Sequence, residues 1–134
     1  MSDTPAPLGR ISWADLTVPD ATQLQEFYTN VAGWTATPLS MGEYDDYLML
    51  DANGAPQAGI FYARAANSGI PSQWIVYITV SGLDDKLRDV EASGGKIIMP
   101  IRSMGKTGRY AMIEDPAGAV CAMCALFETS QADL

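Results

Sequence analysis

The sequence contains no histidine, and this absence limits the chemistry of the chain more than any other feature. Ser-His-Asp and Cys-His nucleophilic sites use an imidazole as the base, and the two-His-one-carboxylate iron site uses it as a ligand. All of these sites are excluded. Catalysis by carboxylate, tyrosine, lysine, cysteine or water remains, as does a function without catalysis.

Basic residues and cysteines are also few. The 134 residues include eight Lys and Arg in total and carry a net charge of −8, which disfavours nucleic acid and anionic membranes as partners. Cys121 and Cys124 have the C-x-x-C spacing of redox and zinc sites. However, 119–127 has the pattern of a strand, in which residues three apart point to opposite faces. We therefore predict two free structural cysteines.

Targeting and cofactor signals are missing as well. No apolar run approaches the roughly 20 residues of a membrane-spanning helix. The first eight residues lack the basic and apolar regions of a signal peptide, so a cytoplasmic protein is expected. Neither G-x-G-x-x-G after a strand nor a Walker loop occurs, and no cofactor is predicted. We expect one domain over 8–127, with flexible tails at 1–7 and 128–134.

The remaining sequence has the pattern of a globular α+β protein, with 48% apolar residues. A strand over 11–18 is followed by Asp20, a helix N-cap residue, and by Gly33, which is typical of a helix C-terminus. Between these two residues an apolar stripe predicts an amphipathic helix: Leu24, Phe27, Tyr28 and Val31. Three further strands are predicted before residue 64, giving the order β-α-β-β-β.

The same order repeats in the second half of the chain. Leu16-Thr-Val18 lies 62 positions before Ile78-Thr-Val80, and Tyr47-Leu-Met-Leu-Asp51 lies 63 positions before Tyr110-Ala-Met-Ile-Glu114. Such regular offsets indicate an internal duplication, with modules at 8–63 and 73–127. Two such units predict a curved eight-stranded mixed sheet with the helices outside and a concave cleft inside, which is the default ligand site.

Several motifs in this duplicated pattern are those of a known family: Leu16-Thr-Val-Pro-Asp20, Phe27-Tyr28, Gly33-Trp34, Gly94-Gly95 and Asp115-Pro-Ala-Gly118. With these motifs the chain resembles the vicinal oxygen chelate superfamily of glyoxalases, bleomycin-resistance proteins and extradiol dioxygenases, and within it a glyoxalase-like branch without an evident metal site. The resemblance implies a homodimer. It also implies four metal-ligand positions, which fall here at Trp13, Ala58, Ile75 and Ala122. None of these residues is a metal ligand, so no metal is expected.

The predicted cleft supplies the candidate ligand-binding residues. Strand alternation directs Trp13 and Asp15 into it, and the duplication adds Ile75 and Tyr77. Ala122, at one of the metal-ligand positions, is also a candidate. Tyr47 and Tyr110 are aromatic strand residues that form either the wall of the cleft or part of the core. Arg109 either binds an anionic ligand or lies solvated at the rim.

Three functions remain open from the sequence. The first is a metal-independent protein that binds a small organic or aromatic molecule in an apolar cleft. The second is a lyase, isomerase or dioxygenase-type enzyme of the same superfamily, with Asp15 and Tyr77 as polar groups or with a site of carboxylates alone. The third is a structural or regulatory subunit that acts through its surface.

Overall fold

The computed structural model describes residues 8–64 and 67–126, and these contain the predicted order of elements twice. The first half consists of β1 (Ile11–Val18), α1 (Ala21–Ala32), β2 (Thr35–Ser40), β3 (Asp45–Leu50) and β4 (Pro56–Tyr62). The second consists of β5 (Trp74–Thr79), α2 (Leu83–Ala92), β6 (Lys96–Ser103), β7 (Gly108–Glu114) and β8 (Val120–Leu126). The α+β class and the βαβββ modules are confirmed.

Each half combines parallel and antiparallel pairing, as expected for a mixed sheet. In the first half β1 is parallel to β4, and β3 lies antiparallel between β4 and β2. In the second half β5 is parallel to β8, and β7 lies antiparallel between β8 and β6. The parallel pair is possible because a helix and two strands separate its members along the chain.

One face of each half-sheet packs on its helix. Under α1 the buried cluster is Leu16, Val18, Ala21, Tyr47, Met49 and Ile60, with Leu24, Tyr28, Trp34 and Trp74 against it. Under α2 it is Leu83, Leu87, Val90, Ala111 and Ile113, with Cys121 and Met123 against it. Burial of these side chains is the main stabilising contribution within each half.

The helix ends match the sequence pattern at α1 and differ at α2. The Oδ1 of Asp20 accepts a hydrogen bond from the Gln23 backbone N–H at 3.1 Å, and Gly33 ends α1 with φ +74°. By contrast, α2 begins after Gly82, which has no side chain to cap the helix. Asp84 and Asp85 in its first turn place negative charge at the positive end of the helix dipole.

The duplication is confirmed, but its register differs from the sequence alignment in the last two strands of each half. The turns after β3 and β7 have the same hydrogen bonds. Asp51 Oδ1 accepts from the backbone N–H of Asn53 and Ala55, and Asp115 Oδ1 accepts from Ala117 and Ala119. Asp51 therefore corresponds to Asp115, 64 positions on, and not to Glu114.

Two local irregularities cause this shift. The loop before the third strand is closed by a bond from Met41 N–H to the Tyr44 carbonyl in the first half, and from Met104 N–H to the Gly108 carbonyl in the second. The second loop is therefore one residue longer. In β4 the pairing then shifts between Met49 and Leu50, which leaves Gln57 as an extra residue. A shift of one residue moves a side chain to the other face of the sheet.

The prediction for the cysteines is confirmed over the part of β8 that is described. Both are free; Cys121 lies opposite Ile113 on the α2 side and Cys124 opposite Tyr110 on the other face. Burial, followed by the charge of Asp115, raises the pKa of the Cys121 thiol. The predicted strand residue Phe127 lies outside the described residues. Within those residues, neither helix has the length and apolar character needed to cross a membrane.

Candidate functional site

In the first half, the sheet face turned away from α1 carries two of the residues expected in the site, Trp13 and Asp15. Leu16 and Val18 pack under α1, so alternation places Trp13, Asp15 and Thr17 on the other face. Trp13 is half-buried, whereas Asp15 and Thr17 are only 4% and 2% exposed. Burial of a carboxylate is costly unless hydrogen bonds satisfy it, which makes Asp15 a strongly constrained position. We call this surface the Asp15 face.

Gly59 and Phe61 extend the Asp15 face onto β4. Gly59 pairs with Asp15, and Phe61 pairs with Thr17. A Cβ atom at Gly59 would lie 2.5 Å from Cζ of Phe61, because the Phe61 ring covers the glycine. Because position 59 has no side chain, the Phe61 ring can occupy the space beside Asp15.

In the second half, the corresponding face brings together Tyr77, Tyr110 and Ala122. Tyr77 pairs with Ala122 across β5 and β8, and Ala122 pairs with Met112 across β8 and β7. The rings of Tyr77 and Tyr110 lie 5.8 Å apart between centroids and are tilted by 45°. We call this surface the Tyr77 face; its members are Tyr77, Thr79, Met99, Arg102, Tyr110, Met112, Ala122 and Cys124.

Most of the Tyr77 face is buried, and its accessible part is polar and aromatic. Tyr77, Met112 and Ala122 are 5% exposed or less, whereas Tyr110 and Arg102 are half-buried. Arg102 lies directly opposite Tyr110 in the pairing of β6 with β7. A planar ring and a guanidinium are thus side by side at the accessible part of an apolar wall, an arrangement suited to stacking and anion recognition.

Hydroxyl and thiol groups form a second polar cluster beside the Tyr77 face. Thr79 Oγ1 donates to Ser12 Oγ at 2.9 Å, and the Cys124 Sγ lies 3.8 Å from Ser12 Oγ and 3.9 Å from Thr79 Oγ1. Thr79 and Cys124 are almost fully buried. These short side chains satisfy one another, as buried polar groups must.

Two of the candidate residues lie on the wrong face, and those predictions are corrected. Tyr47 packs under α1, with its hydroxyl 2.8 Å from Thr22 Oγ1, because the register shift turns it away from the face that its expected counterpart Tyr110 occupies. Arg109 pairs with Ala125 on the α2 side and forms an exposed ion pair with Asp84 at 3.7 Å. Arg102, on the neighbouring strand, lies on the Tyr77 face.

Asp46 is a second buried carboxylate, at the start of β3. Its Oδ1 accepts the Tyr62 backbone N–H at 2.9 Å. Nearby, the guanidinium of Arg64 lies 4.0 Å from the centroid of the Tyr44 ring. Burial raises the pKa of Asp46 above the usual 3.8, and the charge of Asp45 adds to this effect. The Tyr62 hydrogen bond and Arg64 act in the opposite direction, but burial dominates.

This raised pKa predicts a pH dependence of stability with a definite sign. Between the unfolded and folded pKa values of Asp46 the folded state binds more protons, so this contribution to the unfolding free energy falls as pH rises through that window. We expect Asp46→Asn, which keeps an oxygen acceptor for the Tyr62 backbone N–H, to reduce the decline that begins as pH rises above about 4. Urea denaturation of both proteins across this range measures it.

Asp51 provides the matched control. Hydrogen bonds from the Ala55 and Asn53 backbone N–H groups hold the pKa of this exposed carboxyl below 3.8. A lowered folded pKa contributes stability that is lost only as pH falls below 3.8, so Asp51→Asn should leave the decline at higher pH unchanged. Parallel pH profiles for the wild type and Asp46→Asn would contradict the prediction.

The comparisons with known proteins identify the family. The sequence model of the Glyoxalase/Bleomycin resistance protein/Dioxygenase superfamily matches residues 10–122, which cover most of both modules. The chain belongs to this superfamily.

Curated members of the superfamily are longer than this chain. The anthracycline biosynthesis protein DnrV of Streptomyces peucetius is 32% identical over 127 residues, which cover 86% of this chain and 46% of DnrV. The putative glyoxylase CFP32 of Mycobacterium bovis is 33% identical over 121 residues, 83% of this chain and 43% of CFP32. The chain therefore spans about half the length of these relatives.

Solved structures share the fold of this chain at low sequence identity. A methylmalonyl-CoA epimerase from Mycobacterium tuberculosis superposes with a TM-score of 0.61 at 14% identity, over 96% of each chain. This likeness concerns the arrangement of strands and helices. A shared fold does not imply a shared reaction, so the function has to be argued from the residues of this chain.

The residues at the superfamily's metal-ligand positions do not fit a metal. The register replaces the expected Ala58 with Gly59, because Ala58 lies on the α1 side and Gly59 pairs with Asp15. The four positions are then Trp13, Gly59, Ile75 and Ala122, and none has a side-chain atom that ligates a metal. Within 8–64 and 67–126, no group of three or more Asp, Glu or Cys side chains is placed to hold an ion.

Sequence reasoning missed Gly59 and Phe61 as members of the Asp15 face, and Ser12 as the hydrogen-bond partner of Thr79. The signal for Gly59 and Phe61 was present: the two Asp-x-x-Gly turns, at Asp51 and Asp115, lie 64 positions apart. Aligning these turns first would have revealed the shift in β3. The bulge at Gln57 has no equally clear signal, and Ser12 depends on a long-range contact.

Proposed function

We propose that this member of the superfamily is a metal-independent protein that binds a small aromatic molecule at the Tyr77 face. The observation that carries the proposal is the half-buried Tyr110 ring, which stands between the Tyr77 ring at 5.8 Å and Arg102 on the neighbouring strand. An aromatic ligand would stack on Tyr110 and meet the apolar wall with its edge. Arg102 would bind an acidic substituent such as a phenolate or carboxylate.

The apolar members of the face support this choice of ligand. Met99 and Met112 pair across β6 and β7, and Ala122 lies beside Met112 on β8. Methionine side chains adapt to irregular shapes and make favourable contacts with aromatic rings. The name of the relative DnrV, an anthracycline biosynthesis protein, agrees with a planar aromatic ligand.

Binding of an anthracycline and of smaller polycyclic phenols tests the proposal. We expect at least one of them to raise the midpoint of thermal unfolding, since a ligand at 100 times its Kd adds about 2.7 kcal/mol of stability. The shift should persist in EDTA. Tyr110→Ala should weaken binding by about 2- to 12-fold, as expected for loss of an aromatic contact worth about 0.5–1.5 kcal/mol.

Phe27→Ala is the matched control, because it also removes an aromatic ring, but from an exposed position on α1. It should leave the affinity unchanged. The proposal fails if no compound raises the unfolding midpoint, if EDTA abolishes binding, or if the two variants bind equally well.

A further inference from the structure

We propose a second ligand site, distinct from the Tyr77 face, at the C-terminal end of α2, where a cavity fits a small organic amine with one ring. The cavity has a volume of about 270 Å³ and is open to solvent. Its inner wall is apolar and consists of Val90, Ile113, Pro116 and Met123. Ile113 and Met123 pack on the α2 side of the sheet, whereas Met112 and Ala122 belong to the Tyr77 face.

The duplication explains why this space is open. At an offset of 62, Val90 of α2 corresponds to Tyr28 of α1. Tyr28 fills its place with a ring that packs on Trp34 and Trp74 at centroid distances of 5.7 and 5.3 Å. Valine is far smaller, and Lys96 stands where the first half has Trp34. The second half has thus lost the aromatic filling of the first.

The other helix residues of the cavity differ from the first half in the same way. Lys86, Asp89 and Ser93 line the cavity and correspond to Leu24, Phe27 and Val31 at the same offset. An apolar helix stripe has been replaced by charged and hydroxyl groups around an apolar wall. This is the composition of a ligand pocket: mostly apolar, with a few polar groups at its edge.

The charges at the edge favour a cation. Two carboxylates, Asp89 and Asp115, and one lysine, Lys86, line the cavity. Among the described residues the ion pairs are Arg88 with Asp85 and Arg109 with Asp84, so neither carboxylate of the cavity is in one. The site also lies at the negative end of the α2 dipole, and the last turn of α2 has no basic residue.

The volume limits the size of the ligand. A cavity of about 150 Å³ in another protein holds benzene, so about 270 Å³ accommodates one six-membered ring with a short aminoalkyl substituent. The ring would contact Val90, Ile113 and Met123, and the ammonium group would lie at Asp89 and Asp115.

Three probes with the same ring and different charge separate the contributions of ring and charge. Benzylamine, benzyl alcohol and benzoate are titrated into the ¹⁵N-labelled protein, and backbone amide shifts are followed. We expect benzylamine to bind most tightly and benzoate most weakly, with the largest shifts at Val90, Ser93, Gly95 and Met123. Asp89→Asn should weaken benzylamine about two- to fivefold and leave benzyl alcohol unchanged, in line with an exposed ion pair.

The controls use neighbouring positions. Glu91→Gln removes an exposed carboxylate of α2 that does not line the cavity, and should leave benzylamine binding unchanged. Val90→Tyr introduces the residue of the first half and should abolish binding of all three probes. The proposal is overturned if the probes shift no cavity residue, if benzylamine and benzyl alcohol bind alike, or if Asp89→Asn and Glu91→Gln have equal effects. Because Asp89 is exposed, the charge test does not depend on Val90→Tyr folding.

Discussion

Replacement of Gly108 by alanine is expected to lower the free energy of unfolding by about 3 kcal/mol or more, because the new methyl group has no space. A Cβ atom at this position would lie 2.2 Å from the Ala125 carbonyl oxygen and 2.9 Å from the Leu126 Cα. Both atoms belong to the backbone of β8, which pairs with Gly108 at the start of β7. The two strands would have to separate, since a backbone cannot rotate away as a side chain can.

Gly69→Ala is the control for this prediction. A Cβ atom there has no heavy atom within 4 Å, and Gly69 has no positive φ. It should change stability by less than about 0.5 kcal/mol, or raise it slightly by restricting the unfolded chain. Urea denaturation of the three proteins measures both effects. A Gly108→Ala protein within about 1 kcal/mol of the wild type would show that β7 and β8 can separate there at little cost.

Gly108 also shows how the two modules have diverged. Its carbonyl accepts the bond that closes the loop from Met104, as the Tyr44 carbonyl does for Met41 in the first half. A tyrosine is thus accommodated at the equivalent point of the first module. The glycine is required by the close approach of β8 in the second module, and not by the motif itself.

The sequence predicted the elements well because their signals are local. The cap at Asp20 and the turn at Gly33 depend on residues within one helix, and both are observed. Of the predicted stripe of α1, Leu24 and Tyr28 pack on the buried cluster, whereas Phe27 and Val31 are exposed. The opposite orientations of Cys121 and Cys124 follow from strand geometry alone. The duplication added a long-range constraint, which correctly gave the order of elements in the second half.

The candidate site was predicted less well because it depends on register. Tyr47 and Tyr110 look equivalent in the aligned sequences, but one additional loop residue before Gly108 places them on opposite faces. The bulge at Gln57 then replaces Ala58 with Gly59 beside Asp15. Both are single-residue events in loops or strand irregularities, where sequence patterns are weakest. The alternation of residues along β7 likewise gave no indication that Arg109 forms an ion pair with Asp84.

Leu83→Ala is expected to destabilise the protein by about 3 kcal/mol, within the usual range of 2–5 kcal/mol for deletion of a buried leucine. Leu83 is fully buried in the cluster under α2, together with Leu87 and Val90. In the first module the equivalent residue is Ala21, and the aromatic residues Tyr28 and Trp34 supply the packing there. The second module lacks this aromatic packing, so α2 depends strongly on its first residue.

The appropriate control removes the same atoms from an exposed position. Leu39 of β2 is 38% exposed, so Leu39→Ala should lower the unfolding free energy by less than about 1 kcal/mol. Hydrogen exchange of the α2 amides gives a second readout, because loss of Leu83 should increase local opening of that helix. Equal stabilities for the two variants would mean that neighbouring side chains move into the space left by Leu83.

The hydrogen-exchange measurement also bears on the amine site, because that site is formed by the last turn of α2 and needs the helix held against Ile113 and Met123.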